Sequence, residues 1–230
     1  MEHYDKELGI IRFRYNEKAK RFIFRTLPDG ILVTLPVFTN MREALSALEK
    51  LRHKLVQKKE KTPDIIFDEN TDLKTNRFTV HIFRTERANF YFSRKGDFLH
   101  IACPKDTDFS QEQVQTLLRS GIERMLRAEA KRMLPGRLSE LAKKYHFSYS
   151  GIKINSGKTR WGSCSNRKNI NLSLYLMLLP DRLIDYVLLH ELCHTIEMNH
   201  SPAFWKQMDI VTGNQSKTLR GELKKYKTGF

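Results

Sequence analysis

The stretch YVLLHELCHTI, residues 186–196, combines an apolar helix pattern with the spacing His-Glu-X-X-His. Side chains four positions apart in an α-helix differ by about 40° around the axis and about 6 Å along it, so His190 and His194 can reach one metal ion. Glu191 lies about 100° from His190, which places its carboxylate beside the ion instead of on it. A zinc ion lowers the pKa of its bound water to roughly 7, and a nearby carboxylate can take the proton as that water attacks a carbonyl or phosphoryl group. The spacing therefore fits both metal binding and hydrolysis.

His200 is the nearest downstream histidine and the predicted third ligand. On a continuous helix it would lie about 240° around and about 9 Å along from His194, so we expect the helix to end between Glu197 and Asn199. Asn199 suits a left-handed C-cap, and Ser201-Pro202 starts another helix. Glu197, three residues after His194, is the competing third ligand. We favour His200, because an imidazole from a turn leaves the helix undistorted.

The surroundings of the motif favour a metal site over a solvent-exposed helix face. The motif lies within an apolar segment, and buried charges are unfavourable unless a metal or a partner satisfies them. Cys193 lies about 100° from His194, so we expect it in the core and not on the metal.

The composition excludes several classes of protein. The 230 residues are 40% hydrophobic and 29% charged, which excludes collagenous, low-complexity and wholly disordered chains. Three cysteines cannot form a fully paired disulfide framework, and the opening residues MEHYDKELGI lack the basic and then apolar run of a signal peptide. No segment reaches about 18 uninterrupted apolar residues. We therefore expect a cytoplasmic protein without a membrane span.

The charge balance points to anions as candidate partners. Lys and Arg number 41 against 26 Asp and Glu, for a net charge of +15. Such a surplus raises the local concentration of nucleic acid or nucleotides. Because these residues are spread along the whole chain, a solubility surface explains the charge equally well.

The apolar patterns predict an α+β protein with two regions, 1–108 and 109–230. The first is expected to be β-rich with one inserted helix. Short alternating stretches over residues 10–38 predict an antiparallel meander with a turn at Pro28-Asp29-Gly30. A polar connector begins at Pro63 and leads to three more short strands.

The second region is expected to hold a supporting helix, a short sheet and the metal helix. A helical pattern starts after Asp108 and is interrupted at Pro135-Gly136, which predicts two helices. Residues 149–155 and 169–174 predict two strands, joined by the polar loop SGKTRWGSCSNRK. Pro180 marks the start of the metal helix.

Five segments carry a closer resemblance: RWGSC at 160–164, NLSL at 171–174, DYVLL at 185–189, HELCH at 190–194 and NHSPAFW at 199–205. Together they resemble the YgjP-like metallopeptidases, relatives of the SprT-like and Wss-type proteases among the small zincins. The resemblance implies a zincin-like metallohydrolase domain over residues 109–230. It implies that strand 169–174 borders the active-site cleft and that one zinc ion is bound per chain. The residues it implicates are the zinc ligands His190, His194 and His200 and the general base Glu191.

Arg160 and Trp161 lie in the polar loop before the metal helix and are candidate substrate-binding residues. The alternative is a packing role, with Trp161 on the core and Arg160 beside a carboxylate. Phe204-Trp205 is expected to anchor the last helix against the metal helix.

These observations predict a zinc-dependent hydrolase, specifically a metallopeptidase acting on a peptide or protein. Two alternatives stay open. A metal-dependent nucleotide phosphohydrolase would use the same activated water, with Arg and Lys holding the nucleotide, although the chain has no Gly-rich phosphate loop of the Walker type. A nucleic-acid-binding module would hold a structural zinc in a closed coordination sphere.

Overall fold

The computed structural model describes residues 2–17, 19–27, 30–60 and 65–230, apart from the side chains of 57–60. The turn expected at Pro28-Asp29-Gly30 and the connector beginning at Pro63 lie partly outside these residues. The chain divides into two compact units, Met1–Asp64 and Ile65–Phe230. Both units combine strands and helices, so the predicted α+β class is confirmed.

The first unit is a four-stranded sheet with one helix. The sheet has the order β1-β2-β4-β3, and its apolar face packs with the helix in one core cluster. The apolar core residues are two positions apart along both central strands: Ile11 and Phe13 in β2, and Ile31, Val33 and Leu35 in β4. The elements are β1 (Glu2–Asp5), β2 (Gly9–Tyr15), β3 (Ile23–Leu27), β4 (Gly30–Leu35) and α1 (Met41–Glu60).

The pairing within this sheet differs from the predicted antiparallel meander. β2 and β4 pair in parallel, with Ile10 opposite Gly30, while β3 pairs with β4 as an antiparallel edge strand. Gly30 makes this pairing possible, because a Cβ at that position would overlap the backbone of Ile10. Alternation of apolar residues indicates which residues form strands but not which strands pair. The predicted antiparallel pairing was therefore wrong for β2 and β4.

The second unit begins with a three-stranded sheet that packs on a long helix. In the order β5-β7-β6, β5 and β7 are parallel and β6 is antiparallel to β7. Val80 and Ile101 of this sheet belong to the same buried cluster as Leu118 and Ile122 of the helix. The structure therefore divides after Asp64 and not at the predicted boundary after residue 108. The elements are β5 (Thr79–Thr85), β6 (Tyr91–Lys95), β7 (Phe98–Pro104) and α2 (Glu112–Lys144).

The break expected at Pro135-Gly136 does not occur, and α2 continues through it. A proline inside a helix removes one hydrogen bond. The apolar period nevertheless runs on, since Leu134, Leu138 and Leu141 are all buried in the core. Tertiary packing therefore outweighs the local effect of the proline.

The rest of the second unit is a small sheet followed by three helices. β8 and β10 pair in parallel, and β9, a strand that the sequence did not predict, pairs antiparallel with β10 as the other edge of the sheet. No helix in the described part of the chain is long and apolar enough to cross a membrane. The elements are β8 (Gly151–Asn155), β9 (Gly162–Cys164), β10 (Asn169–Ser173), a 3₁₀ turn (Leu174–Leu178), α3 (Asp181–Cys193), α4 (Pro202–Thr212) and α5 (Ser216–Leu223).

Candidate metal centre and active site

Three histidines converge at the end of α3. His190 lies in the last turn of α3, His194 caps it, and His200 lies just before α4. The Nε2 atom of His190 is 3.2 Å from Nε2 of His194 and 3.1 Å from Nε2 of His200. The potential ligand atoms of all three lie within 4.8 Å of one another.

The turn after α3 brings His200 back to the helix. α3 ends at Cys193, before the expected limits of Glu197 and Asn199. Asn199 is not among the described residues with positive φ, so the left-handed cap predicted there is wrong. The reversal uses turn hydrogen bonds instead: the Glu197 N–H donates to the carbonyl oxygen of Cys193 at 2.9 Å. The Glu197 carbonyl oxygen in turn lies 2.9 Å from Nδ1 of His194.

The spacing of these nitrogens suits tetrahedral zinc. Zn–N bonds of about 2.0–2.1 Å at tetrahedral angles separate two ligand nitrogens by about 3.3 Å, close to the observed separations. His194 donates from Nδ1 to the Glu197 carbonyl, which leaves the Nε2 lone pair of His194 for a metal. Glu197, the competing ligand, thus contributes its backbone and is not part of the histidine cluster.

The surroundings of His190 and His200 favour the neutral, metal-binding form of these two side chains. Burial lowers the pKa of His190 to about 3, with further lowering by the nearby His194 and His200. The pKa of His200 is also lowered, chiefly by burial. Nδ1 of His190 is buried without a hydrogen-bond partner among the described residues. Three imidazoles with their nitrogens this close together fit a divalent cation between them.

An aromatic pair from α4 supports the cluster. Phe204 is fully buried, and its ring centroid lies 4.9, 4.5 and 4.8 Å from those of His190, His194 and His200. Trp205 lies nearly parallel to His200, with 5.7 Å between the ring centroids and 24° between the planes. α4 therefore packs on the metal helix through Phe204, as predicted, while Trp205 also faces the cavity described below.

Glu191 presents a buried carboxylate next to the histidines. Its residue is 4% exposed, and burial raises the pKa of its carboxyl to about 8, while the charge of Arg160 acts in the opposite direction. Its Oε2 atom has no hydrogen-bond partner among the described residues. When it is deprotonated, such a group is a stronger base than an ordinary carboxylate and can accept a proton from a substrate or a water that enters the site.

An open cavity of about 560 Å³ adjoins the histidines and Glu191. The predicted substrate-binding residues Arg160 and Trp161 both line it, although Trp161 also packs against the core. Three further lining residues, Tyr186, Trp205 and Arg220, were not predicted from the sequence. Tyr186 is four residues before His190, so helical spacing could have identified it, whereas Arg220 lies in a basic tail with no motif.

The strand at the edge of this cavity is β9. Gly162 of β9 lines it, and β10 is the central strand of the sheet. Asn171 and Ser173 of β10 instead line an adjoining cavity of about 450 Å³, which shares Arg160 and Gly162 with the first. The resemblance placed strand 169–174 at the cleft, but in the structure it lies one strand further from the histidines.

Cys193 is fully buried and lies outside the histidine cluster, in agreement with the expected core position. Burial raises the pKa of its thiol to about 12, so the thiol stays protonated at neutral pH.

Comparison with known proteins gives a match to a family model and a similar solved structure. A family model described as YgjP-like, metallopeptidase domain, matches residues 20–226. Among solved structures, the chain is similar to the crystal structure of the metallopeptidase zymogen of Pyrococcus abyssi abylysin. The sequences are 21% identical and the TM-score is 0.37, over 40% of this chain and 94% of that one. No curated protein sequence matches the chain.

Proposed function

Because the chain belongs to the YgjP-like metallopeptidase family, we propose that it is a zinc-dependent peptidase that binds one zinc ion through His190, His194 and His200. The observation that carries the proposal is the convergence of three Nε2 atoms beside the buried carboxylate of Glu191. These are the three protein ligands and the acid–base group that zinc-dependent hydrolysis requires.

Different residues of the chain have different roles in the proposed reaction. Zinc, when bound, supplies a Lewis acid that polarises a carbonyl oxygen and acidifies water. Glu191 accepts the proton of the attacking water and then donates it to the leaving amine. Arg160 and Trp161 line the cavity and bind the peptide there. The packing of Phe204 on the three histidines holds them in place.

The cavity supports a catalytic role over a purely structural zinc. A structural site is closed by four protein ligands, whereas among the described residues the group that could hold a metal has three histidines, and His190 and His200 line an open cavity. The cavity volume lies within the range of about 300–1,000 Å³ that is usual for ligand sites. A nucleic-acid or nucleotide partner, expected from the charge, stays a prediction, as does a cytoplasmic location.

The test is hydrolysis of an internally quenched peptide library by zinc-loaded protein, beside Glu191→Gln. The control variant is Glu112→Gln, which makes the same change at an exposed position on α2. We expect Glu191→Gln to keep its zinc and to lose activity by about 10²–10⁴-fold, while Glu112→Gln keeps full activity. Full activity in zinc-loaded Glu191→Gln would refute the general base. Turnover of nucleotides with inert peptides would overturn the peptidase in favour of a phosphohydrolase.

A further inference from the structure

Arg220 of α5 is held at the wall of the cavity by an aromatic ring. Its guanidinium carbon lies 4.7 Å from the centroid of the Trp205 ring, a cation–π contact. The same Trp205 ring lies against His200. Arg220 therefore projects a fixed positive charge beside the proposed metal centre, on the side of His200 and Trp205.

Arg220 differs from several other arginines of the second unit, which are paired with carboxylates. Arg77 pairs with Asp181, Arg137 with Asp185, and Arg182 with Glu222. In the part of the chain that the structure describes, no ion pair joins an acid to Arg220 or to Arg160. The cavity thus contains two arginines that the fold itself does not neutralise.

The two arginines that line the cavity favour a ligand with an anionic group. Glu191 is the one acid among the described residues that line it, and it is the proposed general base. This leaves Arg220 available to a ligand. A guanidinium matches the geometry of a carboxylate, with two parallel N–H donors facing two oxygens.

We infer that Arg220 binds a carboxylate of the substrate close to the bond that is cleaved. The inference rests on the proposed peptidase function and names its substrate class. Two sources can supply the carboxylate: the free C-terminus of a peptide, or the side chain of an Asp or Glu residue next to the cleaved bond. Arg220 is exposed, but its contact with the Trp205 ring holds the guanidinium at the wall of the cavity.

The test uses coumarin-labelled pentapeptides of alanine. One pair carries either a free C-terminal carboxylate or an amide, and a second, amidated pair carries Glu or Gln at the centre. Binding to zinc-loaded Glu191→Gln protein is measured by fluorescence anisotropy, and hydrolysis is measured with the wild-type protein. Both are repeated with Arg220→Gln and with Lys217→Gln, which removes one charge from an exposed position on the same helix.

We expect at least one pair to show tighter binding of the carboxylate member by about 10-fold or more. Arg220→Gln should abolish this preference and raise KM for that peptide with little change in kcat, while Lys217→Gln should keep the preference. Tighter binding of the peptide with a free C-terminus than of its amide would identify the C-terminal carboxylate as the group that Arg220 binds. Tighter binding of the Glu peptide than of the Gln peptide would identify a side-chain carboxylate.

Three results would overturn the inference. These are equal binding within both pairs, equal weakening of neutral and carboxylate peptides by Arg220→Gln, and an Arg220-dependent affinity for ATP without any carboxylate preference. Because binding and hydrolysis are measured separately, the experiment can refute the inference and the peptidase function independently of each other. If no peptide is cleaved but the binding preference still depends on Arg220, the carboxylate-binding site is supported and the proposed peptidase reaction is refuted.

Discussion

Gly162 of β9 lies directly against the side chain of Glu191: a Cβ at Gly162 would be 2.7 Å from Oε1 and 2.8 Å from Cγ of Glu191. Real Cβ atoms do not approach other atoms this closely, so any larger residue would displace the carboxylate. The edge strand of the small sheet thus sets the position of the proposed general base. This relationship links RWGSC to HELCH, two segments of sequence that are separated by 25 residues.

Replacement of Gly162 should therefore impair catalysis without removing the metal. We expect Gly162→Ala to lower kcat by about 100-fold, because a displacement of about 1 Å in a reacting group can have that effect. Zinc content should stay at the wild-type level, since the three atoms nearest an added Cβ all belong to Glu191 and none to a histidine. Peptide hydrolysis and elemental analysis of the same preparation check both points.

The matched control is Gly136→Ala on α2, where an added Cβ would have no neighbour within 4 Å. That variant should keep full activity. Wild-type kcat in zinc-loaded Gly162→Ala would show that the close contact does not position Glu191.

Metal binding should depend on His200 and not on the side chain of Glu197. We expect His200→Ala to weaken zinc binding by more than about 100-fold, since losing a ligand has a larger effect than losing one of its supporting partners. Glu197→Gln should leave zinc affinity nearly unchanged, because Glu197 supports His194 through its backbone carbonyl. Competition with a chromophoric chelator measures both affinities. The opposite order of effects would make Glu197 the third ligand.

Phe204 should contribute to both stability and metal affinity. Phe204→Ala is expected to reduce the free energy of unfolding by about 3–5 kcal/mol and to weaken zinc binding, since the ring packs on all three histidines. Leu118→Ala in α2 is the control: it should destabilise by about 2–5 kcal/mol without changing the zinc affinity of the folded protein. Denaturant unfolding and chelator competition give the two quantities. Equal zinc affinity in both variants would limit Phe204 to a role in packing.

In the first unit, stability should depend on pH through Asp5. Both Asp5 oxygens accept hydrogen bonds from Arg52, at 3.0 and 2.7 Å, and these hold the pKa of that carboxyl well below its usual range. A lowered carboxyl pKa stabilises the folded state at a pH above the unfolded value of about 3.9, and this stability is lost as the pH falls below it. Arg52→Gln should therefore destabilise this unit at pH 7, by an amount that shrinks toward pH 3.

Hydrogen exchange of β1 and α1 amides, corrected for the intrinsic effect of pH, measures this difference. Lys50→Gln, with the same loss of charge at an exposed site, should show little effect. A destabilisation by Arg52→Gln that stays constant from pH 7 to pH 3 would contradict the role of Asp5.

The sequence predicted the cluster of three histidines because the relationship between its members is local. His190 and His194 are related by the helical repeat alone, and the 3.1 Å approach of His200 to His190 required only that the helix stop before His200. The class of the fold followed from apolar periodicity, which reports burial within one element.

Features that depend on distant parts of the chain were not predictable in this way. The parallel pairing of β2 with β4 depends on the close approach of Gly30 to Ile10, and α2 continues past Pro135 because the core on both sides of it is buried. β9 is three residues long, too short for a period to be recognised. Arg220 lines the cavity beside Trp205, in a contact between α5 and α4 that no local pattern indicates.

X-ray absorption at the zinc edge, with metal analysis of the same sample of tag-free protein, tests most directly whether the three histidines bind a catalytic zinc. We predict about one zinc per chain, bound by three imidazole nitrogens at about 2.0–2.1 Å and one oxygen from solvent. Protein that binds no zinc after zinc addition and dialysis would contradict it. A coordination sphere closed by sulfur or by a fourth protein ligand would contradict it equally, because no position would be left for the reaction.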